Sequence, residues 1–418
     1  MSCSLLSAGS GVADLSFSSV LSRLPIHRLA PVLLGCVLCV PVEALEYQLH
    51  GYAAQGFALS SGNNVFGDST DGSLSYYEVG LNAQIQVRPR LLLAAQGAIR
   101  DAGATDTGVA RLDYALMDYR IVSGADASAG IRIGKVKNPL GFFNETRDVI
   151  FTRPSILLPF IYSDNQNQRD LVFAAPGVQL YGSAVRGRHE WSATGTASAD
   201  RYLSEADERL LVVLPVPSSI QMKDSWNGQI MDSIDGGRWQ FAVSLYYARL
   251  VLNALYPSVP PASIYGNFGV GVDVISARYN AERFSLTAEY AIGPNRDYVT
   301  LGGNVIQNFR IVADSGYLQG DYRINSRWSA LARADAYFRD RGDRDGRAFA
   351  AAHPGASAAS RYAYDLTAGL SWRPNARWGV WGEYHWIDGS ATVQALDNTG
   401  RVPSDHWSTL MLMAGLRF

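Results

Sequence analysis

Six charged side chains lie close together in the sequence and have the clearest capacity for chemistry. They are Lys135, Lys137, Glu145, Arg147, Asp148 and Arg153. At the narrowest point of an aqueous passage, fixed charges lower the barrier for ions of opposite sign, because such ions lose part of their hydration there. The excess of basic over acidic residues in this group predicts a mild preference for anions. The alternative is that the charges pair with one another and only hold the segment in place.

This charged segment interrupts a strand. A strand-like run beginning at Arg132 ends at Pro139, which cannot continue a hydrogen-bonded ladder. The residues that follow, up to Asp164, show no regular period over about thirty positions, which is uncommon unless a loop is functional or disordered. Apolar side chains such as Phe142 and Phe151 argue against disorder. We therefore predict a long loop that folds inward and packs against the wall of the surrounding structure.

Most of the chain after residue 44 alternates apolar and polar residues. The clearest run is Tyr77–Arg88, in which one face is apolar and the other is polar. A soluble β-sandwich would give the same alternation. Long strands, aromatic residues near their ends and alternately short and long connections instead favour a spanning barrel. The predicted fold is all-β, a transmembrane antiparallel β-barrel of about 16 strands (14 to 16), with an inward-folded constriction loop.

The end of the sequence reads as a strand with one apolar face. Its apolar positions are Leu410, Leu412, Ala414, Leu416 and Phe418. A terminal strand that ends on an aromatic residue is similar to the signal read by the outer-membrane barrel assembly machinery. The pattern therefore predicts a barrel of the Gram-negative outer membrane.

Connections and aromatic residues suggest the orientation of the strands. Short segments such as Arg88-Pro89-Arg90 predict periplasmic turns, and long polar segments such as Pro294–Gln307 and Asp340–Ser360 predict external loops. Aromatic residues, including Tyr246 and Trp381, are expected at the two membrane interfaces. The segment from position 203 to 238 fits no element securely.

Charges on the polar faces of the strands are expected to line the lumen, because a charge facing lipid at mid-membrane costs about 2 to 4 kcal/mol. The predicted lumen-wall residues are Arg88, Arg100, Arg111, Asp113, Arg132, Arg333 and Asp335. The same faces carry Glu289, Asp321, Arg323 and Glu383.

The segment that precedes the loop resembles a known family. Arg132 and Gly134 are followed by Lys137-Asn138-Pro139-Leu140-Gly141 at the end of a predicted barrel strand. This pattern resembles the phosphate-selective porins of Gram-negative outer membranes, within the wider porin superfamily. The resemblance extends over about 30 residues. It implies a loop that enters the lumen and narrows it, and the association of three barrels into a homotrimer.

The first 44 residues read as a signal peptide that is removed, leaving a barrel domain over 45–418. A basic flank at Arg23 and Arg28 precedes the apolar run Leu29–Pro41, and Val42-Glu43-Ala44 forms a small-residue cleavage site. All three cysteines fall within this segment, which suits export into an oxidising compartment. A lipidation site at Cys36 is an alternative, although the residues after it stay apolar.

The predicted function is a passive, water-filled channel for small hydrophilic solutes, with a mild preference for anions. The charge balance of 36 basic and 38 acidic residues gives no basic stripe for nucleic acid. We assign no catalytic residue, cofactor or metal, since His385 lacks an accompanying serine elbow and the spacing of Asp340–Gly346 fails the EF-hand pattern. The expected partners are the lipid bilayer, lipopolysaccharide and the barrel assembly machinery. A plugged structural or receptor barrel and an outer-membrane barrel enzyme remain alternatives.

Overall fold

The computed structural model describes residues 46–104, 106–162, 171–204, 208, 218–257 and 261–418. The predicted signal peptide and the alternative lipidation site at Cys36 lie outside these residues. Within the described part of the chain, none of the helices is long and apolar enough to cross a membrane.

Sixteen antiparallel strands form one closed barrel. They are β1 (Glu46–Ser61), β2 (Tyr76–Arg88), β3 (Leu91–Ala102), β4 (Arg111–Ser123), β5 (Ala127–Lys137), β6 (Ala174–Arg186), β7 (His189–Ser198, continued as Arg201–Tyr202), β8 (Ser218–Ile234), β9 (Trp239–Tyr256), β10 (Ala262–Asn280), β11 (Phe284–Leu301), β12 (Asn304–Arg323), β13 (Trp328–Phe338), β14 (Tyr362–Trp372), β15 (Trp378–Asp388) and β16 (His406–Arg417). Each strand pairs with the next along the chain, and β1 pairs with β16 to close the sheet. The predicted antiparallel barrel is confirmed.

The seventh strand consists of two pieces. Both pair with β8 in one continuous register, from His189 opposite Ile234 to Arg201 opposite Met222. The break between them coincides with a left-handed residue at Asp224 on β8. We therefore count the two pieces as one strand of the wall. The previously unassigned segment around 203–238 contains β8, and 209–217 lies outside the described residues.

The strands present an apolar surface outward, whereas their inner face carries polar groups together with apolar side chains that contact the inner loop. On β2, Val79 is 44% exposed, whereas its neighbour Glu78 is only 2% exposed. Leu412 on β16 and Phe418, directly after this strand, face outward, while Met411 and Met413 are buried on the inner side. The alternation predicted for both strands is therefore confirmed.

The predicted short turns are confirmed, but one predicted external loop is wrong. Within Pro294–Gln307, β11 and β12 continue as a ladder, and only Gly302 and Gly303 form the turn. Both glycines have positive φ, which suits a two-residue hairpin. The polar composition of this segment was misleading because these strands continue beyond the apolar belt. A long connection does follow β13, and it includes the short helix α1 (Arg347–Ala352).

Two aromatic residues expected at the membrane interface lie inside the barrel instead. Tyr246 and Trp381 are both 2% exposed. Each occupies an inward position of its strand, and Trp381 packs edge-on against Phe151 of the loop at 5.1 Å between ring centroids. Composition alone missed this, because adjacent residues of a strand face opposite sides.

The connection from β5 to β6 folds into the barrel, as predicted. Its apolar side chains pack against the inner wall in two clusters. One cluster includes Leu140 and Phe143 against Tyr246. The other includes Ile150 and Ile156, with Trp381, Met411 and Met413 of the wall. Burial of these side chains holds the loop against the wall.

Candidate pore constriction

The inner loop comprises the described residues 138–162 and 171–173. Asn138 begins it, with its amide N donating to the Phe173 carbonyl at 2.9 Å and its Nδ2 donating to the Val172 carbonyl at 2.8 Å. These bonds join the two ends of the loop where β5 and β6 diverge. Gly141 follows in a left-handed conformation with φ of 56°, and a Cβ at this position would collide with the Tyr162 hydroxyl. The glycine of the sequence motif is therefore required by the entry turn.

Acidic residues of the wall accept hydrogen bonds from the backbone of the inner loop. Glu289 Oε1 accepts from the Phe142 amide at 2.9 Å, and Asp335 Oδ2 accepts from the Phe160 amide at 2.8 Å. The two carboxylate oxygens of Glu383 accept from the Ile156 amide at 2.5 Å and the Leu157 amide at 3.2 Å. These carboxylates lie on β11, β13 and β15, so the loop is anchored far around the barrel from its origin on β5.

Glu289 is the most highly bonded of these anchors. Besides the Phe142 amide, it accepts from Ser276 Oγ at 2.5 Å, from the Tyr317 hydroxyl at 2.6 Å and from the Tyr162 hydroxyl. Burial and the neighbouring Glu289 carboxylate raise the pKa of Tyr162 well above its usual value, so this phenol remains a donor. The carboxylate thus connects two residues of the loop to two strands of the wall.

Arg153 is an internal ion-pair partner of the wall. Its Nη1 lies 2.9 Å from Glu78 Oε1 and its Nη2 donates to the Tyr76 hydroxyl at 3.1 Å. Burial disfavours its charged form, but Glu78 and Tyr76 outweigh this effect and raise the pKa of Arg153. Arg147 is also buried, and it donates to Asn144 Oδ1 at 3.3 Å and to the Tyr162 carbonyl. Both arginines therefore stabilise the loop from within.

Lys137 and Asp148 form an ion pair at the start of the loop. Lys137 Nζ lies 3.0 Å from both Asp148 carboxylate oxygens and also donates to the Glu145 carbonyl at 2.8 Å. Asp148 is buried and accepts from Gln96 as well, whereas the Lys137 side chain is 20% exposed. Lys135 is placed differently, since its Nζ donates to the Leu112 carbonyl on β4 at 2.5 Å.

Glu145 is the acidic residue of the group that is exposed to the lumen. The atoms of the loop and the wall around it nevertheless displace part of its hydration, and this desolvation raises the pKa of Glu145, while Arg132 and Lys137 partly lower it. Among the six charged residues predicted at the constriction, Lys137 and Glu145 thus combine charge with exposure inside the barrel. Arg147, Asp148 and Arg153 are instead buried in paired contacts.

The pH dependence of ion selectivity should report on Glu145. Its pKa is raised, so its negative charge is lost at a higher pH than that of an ordinary glutamate. Lowering the pH from 7 towards 5 should therefore increase the anion preference measured by reversal potential in a salt gradient. Glu145→Gln should raise the anion preference at pH 7 and flatten this pH dependence. An unchanged dependence in the variant would exclude Glu145 as its source.

The predicted wall residues are mostly paired within the lumen. Arg100 lies 3.3 Å from Glu78, Arg111 lies 3.3 Å from Asp113, and Arg132 lies 3.0 Å from Asp118. Arg333 donates to Ser155 Oγ at 3.0 Å and to the Leu157 carbonyl at 3.1 Å, and lies 3.6 Å from Asp335. Arg88 is exposed at the end of β2. These contacts reduce the charge that the wall presents to water.

Several important residues of the loop contacts were not predicted as site residues. Glu78, Gln96 and Asp365 all occupy the polar faces of their strands, and that alternation was the available signal. Asp365 Oδ2 lies 2.8 Å from His385 Nδ1, and Glu383 Oε2 lies 3.5 Å from His385 Nε2. Carboxylates therefore flank both ring nitrogens, an arrangement that differs from a nucleophile–histidine–acid relay.

No protein-family model matches the sequence, and no curated protein matches it. Solved structures do match the fold. The outer membrane channel DcaP of Acinetobacter baumannii is 12% identical, with a TM-score of 0.52 over 90% of this chain and 99% of that one. An anion-selective porin from Comamonas acidovorans is 10% identical, with a TM-score of 0.52 over 90% of this chain and all of that one. OmpT of Vibrio cholerae, in a trimer form, is also 10% identical, with a TM-score of 0.52 over 90% of this chain and all of that one.

These likenesses define the class of fold. The chain has the closed antiparallel barrel of outer-membrane proteins. More particularly, its barrel of sixteen strands has the same fold as the outer membrane channel and the anion-selective porin named above.

Proposed function

We propose that this protein is an outer-membrane porin that passes small hydrophilic solutes by diffusion. The observation that carries the proposal is the inner loop, anchored to the wall by Glu289, Asp335 and Glu383, inside a barrel with an apolar exterior. A barrel of this size can hold an aqueous channel, and a loop inside it narrows the passage. Outer-membrane location, assembly by the barrel machinery and contact with lipopolysaccharide belong to the same proposal.

The proposed selectivity is a mild preference for anions. Lys137 is partly exposed at the start of the loop, and Arg132 and Arg111 lie on the neighbouring wall with partial exposure. Glu145 opposes them. Because Arg147 and Arg153 are buried beside acceptors, we expect them to contribute little to the field in the lumen. We expect small inorganic anions, including phosphate, to pass through the channel more readily than cations of similar size.

Planar-bilayer recording tests the proposal. The purified protein should give discrete conductance steps, and steps grouped in threes would support the proposed homotrimer. The reversal potential in a salt gradient should favour anions, and Lys135→Glu combined with Lys137→Glu should shift it towards cations, because positive charge near the constriction is replaced by negative charge. Lys223→Glu is the matched control, since Lys223 lies on β8 opposite Arg249 of the neighbouring strand, away from the inner loop. If the double variant keeps the wild-type reversal potential, these lysines do not set selectivity.

A second candidate is a plugged structural or receptor barrel. The observation that favours it is the complete burial of lumen-facing side chains such as Gln319 and His385, each 0% exposed. A loop that covers the wall so extensively could also block the passage. The same recordings separate the candidates, since a plugged barrel should give no steps with the protein inserted and folded. Hydrolase assays on the purified protein test the enzyme alternative.

A further inference from the structure

Four basic residues form a row across the outer face of the barrel. In the β-ladder, Lys223 on β8 lies opposite Arg249 on β9, and Arg249 lies opposite Gly269 on β10. Gly269 in turn pairs with Arg296 on β11, and Arg296 pairs with Arg310 on β12. Directly opposed residues of neighbouring strands share a face of the sheet. The basic row is therefore continuous across five strands, with a glycine at its centre.

The basic row faces away from the lumen. Arg249 is separated by an even number of residues from Val243 and Leu245 on β9, so it shares their face of the sheet. These two apolar side chains are 50% and 41% exposed. Arg310 has the parity of Leu318 on β12, which is 58% exposed. These apolar residues belong to the surface that contacts lipid. Arg296 and Arg310 are themselves exposed.

The basic row lies at the level of the outer lipid headgroups. On β10, Tyr279 marks the periplasmic aromatic girdle and contacts Trp239 at 4.4 Å between ring centroids. Gly269 precedes Tyr279 by ten residues on the same strand and lies nearer its external end. At about 3.3 Å per residue and a tilt of about 40°, this separation corresponds to roughly 25 Å along the membrane normal. That distance is the usual height of the apolar band of an outer-membrane barrel.

The charge of the basic row is incompletely neutralised. Arg249 pairs with Asp224, at 2.5 Å between Nη2 and Oδ2. Arg296 and Arg310 lie directly opposite each other, so two positive charges are adjacent. Among the described residues, neither has an acidic ion-pair partner. Like charges in directly opposed positions destabilise a sheet. Asp273 shares the outer face of β10 but lies four residues nearer the periplasm, so an external anion would relieve the repulsion more directly.

The surface around the basic row is concave. Because Gly269 has no side chain, a gap separates Arg249 from Arg296, and a groove of about 780 Å³ runs between them. Its lining also includes Tyr247, Pro294 and Tyr298. Two residues before Tyr247, Leu245 borders a second outer groove of about 540 Å³, whose lining is largely apolar. A groove lined by Arg249, Arg296 and Arg310 thus lies beside a more apolar groove on the membrane side.

We propose that the basic row binds the phosphate groups of an anionic lipid in the outer leaflet, with an acyl chain in the adjoining apolar groove. Guanidinium groups form charge-assisted, bidentate hydrogen bonds with phosphate, and this geometry suits the paired Arg296 and Arg310. A phosphorylated glycolipid supplies both the anionic headgroup and the acyl chains. The inference rests on the outer-membrane position proposed above, and it does not depend on whether the lumen conducts.

Binding of bisphosphorylated lipid A to the full-length protein in nanodiscs of zwitterionic lipid tests this inference. Arg296→Gln combined with Arg310→Gln should weaken binding about 30-fold, because two basic contacts with an anionic headgroup are lost. Arg327→Gln combined with Arg377→Gln, in exposed periplasmic turns, is the matched control and should leave binding unchanged. Lipid A without phosphates should bind the wild-type protein as weakly as phosphorylated lipid A binds the double variant.

Three controls make the outcomes decisive. The double variant should keep the heat-modifiable electrophoretic migration of a folded barrel and the single-channel conductance of the wild type. Inorganic phosphate should compete only weakly, since it lacks acyl chains. Equal lipid A binding by the double variant and the wild type would overturn the inference, as would equal binding of phosphorylated and dephosphorylated lipid. A wild-type barrel that binds lipid A but does not conduct would overturn the porin proposal alone.

Discussion

Replacing Glu289 with alanine is expected to free part of the inner loop from the wall and to raise the single-channel conductance. The carboxylate accepts from four donors, of which Phe142 N and the Tyr162 hydroxyl belong to the loop. Its removal leaves buried donors without their acceptor, and each such group costs about 1 to 3 kcal/mol. A loop that loses this anchor should spend more time away from β11, which widens the passage.

Two measurements check the Glu289→Ala prediction. Conductance in planar bilayers should increase and become noisier, and trypsin should cleave the folded variant at Arg147 or Arg153, which are buried in the wild type. Glu289→Gln should have a smaller effect, because the amide oxygen still accepts hydrogen bonds. Glu282→Ala, in an exposed periplasmic turn, is the control. Wild-type conductance and protease resistance in Glu289→Ala would show that Glu289 does not hold the loop.

Replacing Arg153 with methionine should destabilise the protein more than any change at an exposed ion pair. Arg153 and Glu78 are both almost completely buried. Removing one member of a buried pair typically costs about 3 to 5 kcal/mol, because the other charge remains without its partner. Arg100, at 3.3 Å from Glu78, should offset part of this cost. We expect a clear fall in the temperature at which the barrel loses its heat-modifiable migration.

A second substitution distinguishes loss of the ion pair from loss of packing. Adding Glu78→Gln to Arg153→Met removes the stranded charge and should recover part of the lost thermal stability. Arg188→Met is the matched control, since Arg188 pairs with Asp235 at the surface and its side chain is 75% exposed. This control should change stability little, because exposed pairs are screened by solvent. The buried pair would not be a stabilising contact if Arg153→Met behaved like Arg188→Met.

The fold could be predicted from the sequence because its main determinant is local. The alternation in Tyr77–Arg88 and at the C-terminal strand reflects a period of two that a half-apolar wall imposes on every strand. The errors arose where local composition has two explanations. Polar residues in Pro294–Gln307 suited a loop, but they belong to strands that continue past the lipid. Tyr246 was assigned to the interface by type, although its neighbour Tyr247 is the residue on the outer face.

The candidate constriction could be located from the sequence, but the partners of its charges could not. Pro139 and Gly141 identify where the chain leaves the wall, and this information is local. Arg153, by contrast, meets Glu78 across 75 residues, and Phe142 meets Glu289 across 147 residues. A single sequence does not reveal which of many inward-facing acids a loop residue will contact. The buried pairing of Arg147 and Arg153 therefore required three-dimensional information.

Three wall carboxylates, those of Glu289, Asp335 and Glu383, bind main-chain amides of the inner loop, which has a consequence for sequence divergence. At Leu157 and Phe160, every residue type except proline supplies the same N–H group. The residue types at such loop positions could therefore change during evolution while Glu383 and Asp335 keep their contacts with the backbone. Proteins that share this internal scaffold could thus have little residue identity within the loop and still hold it along the same path.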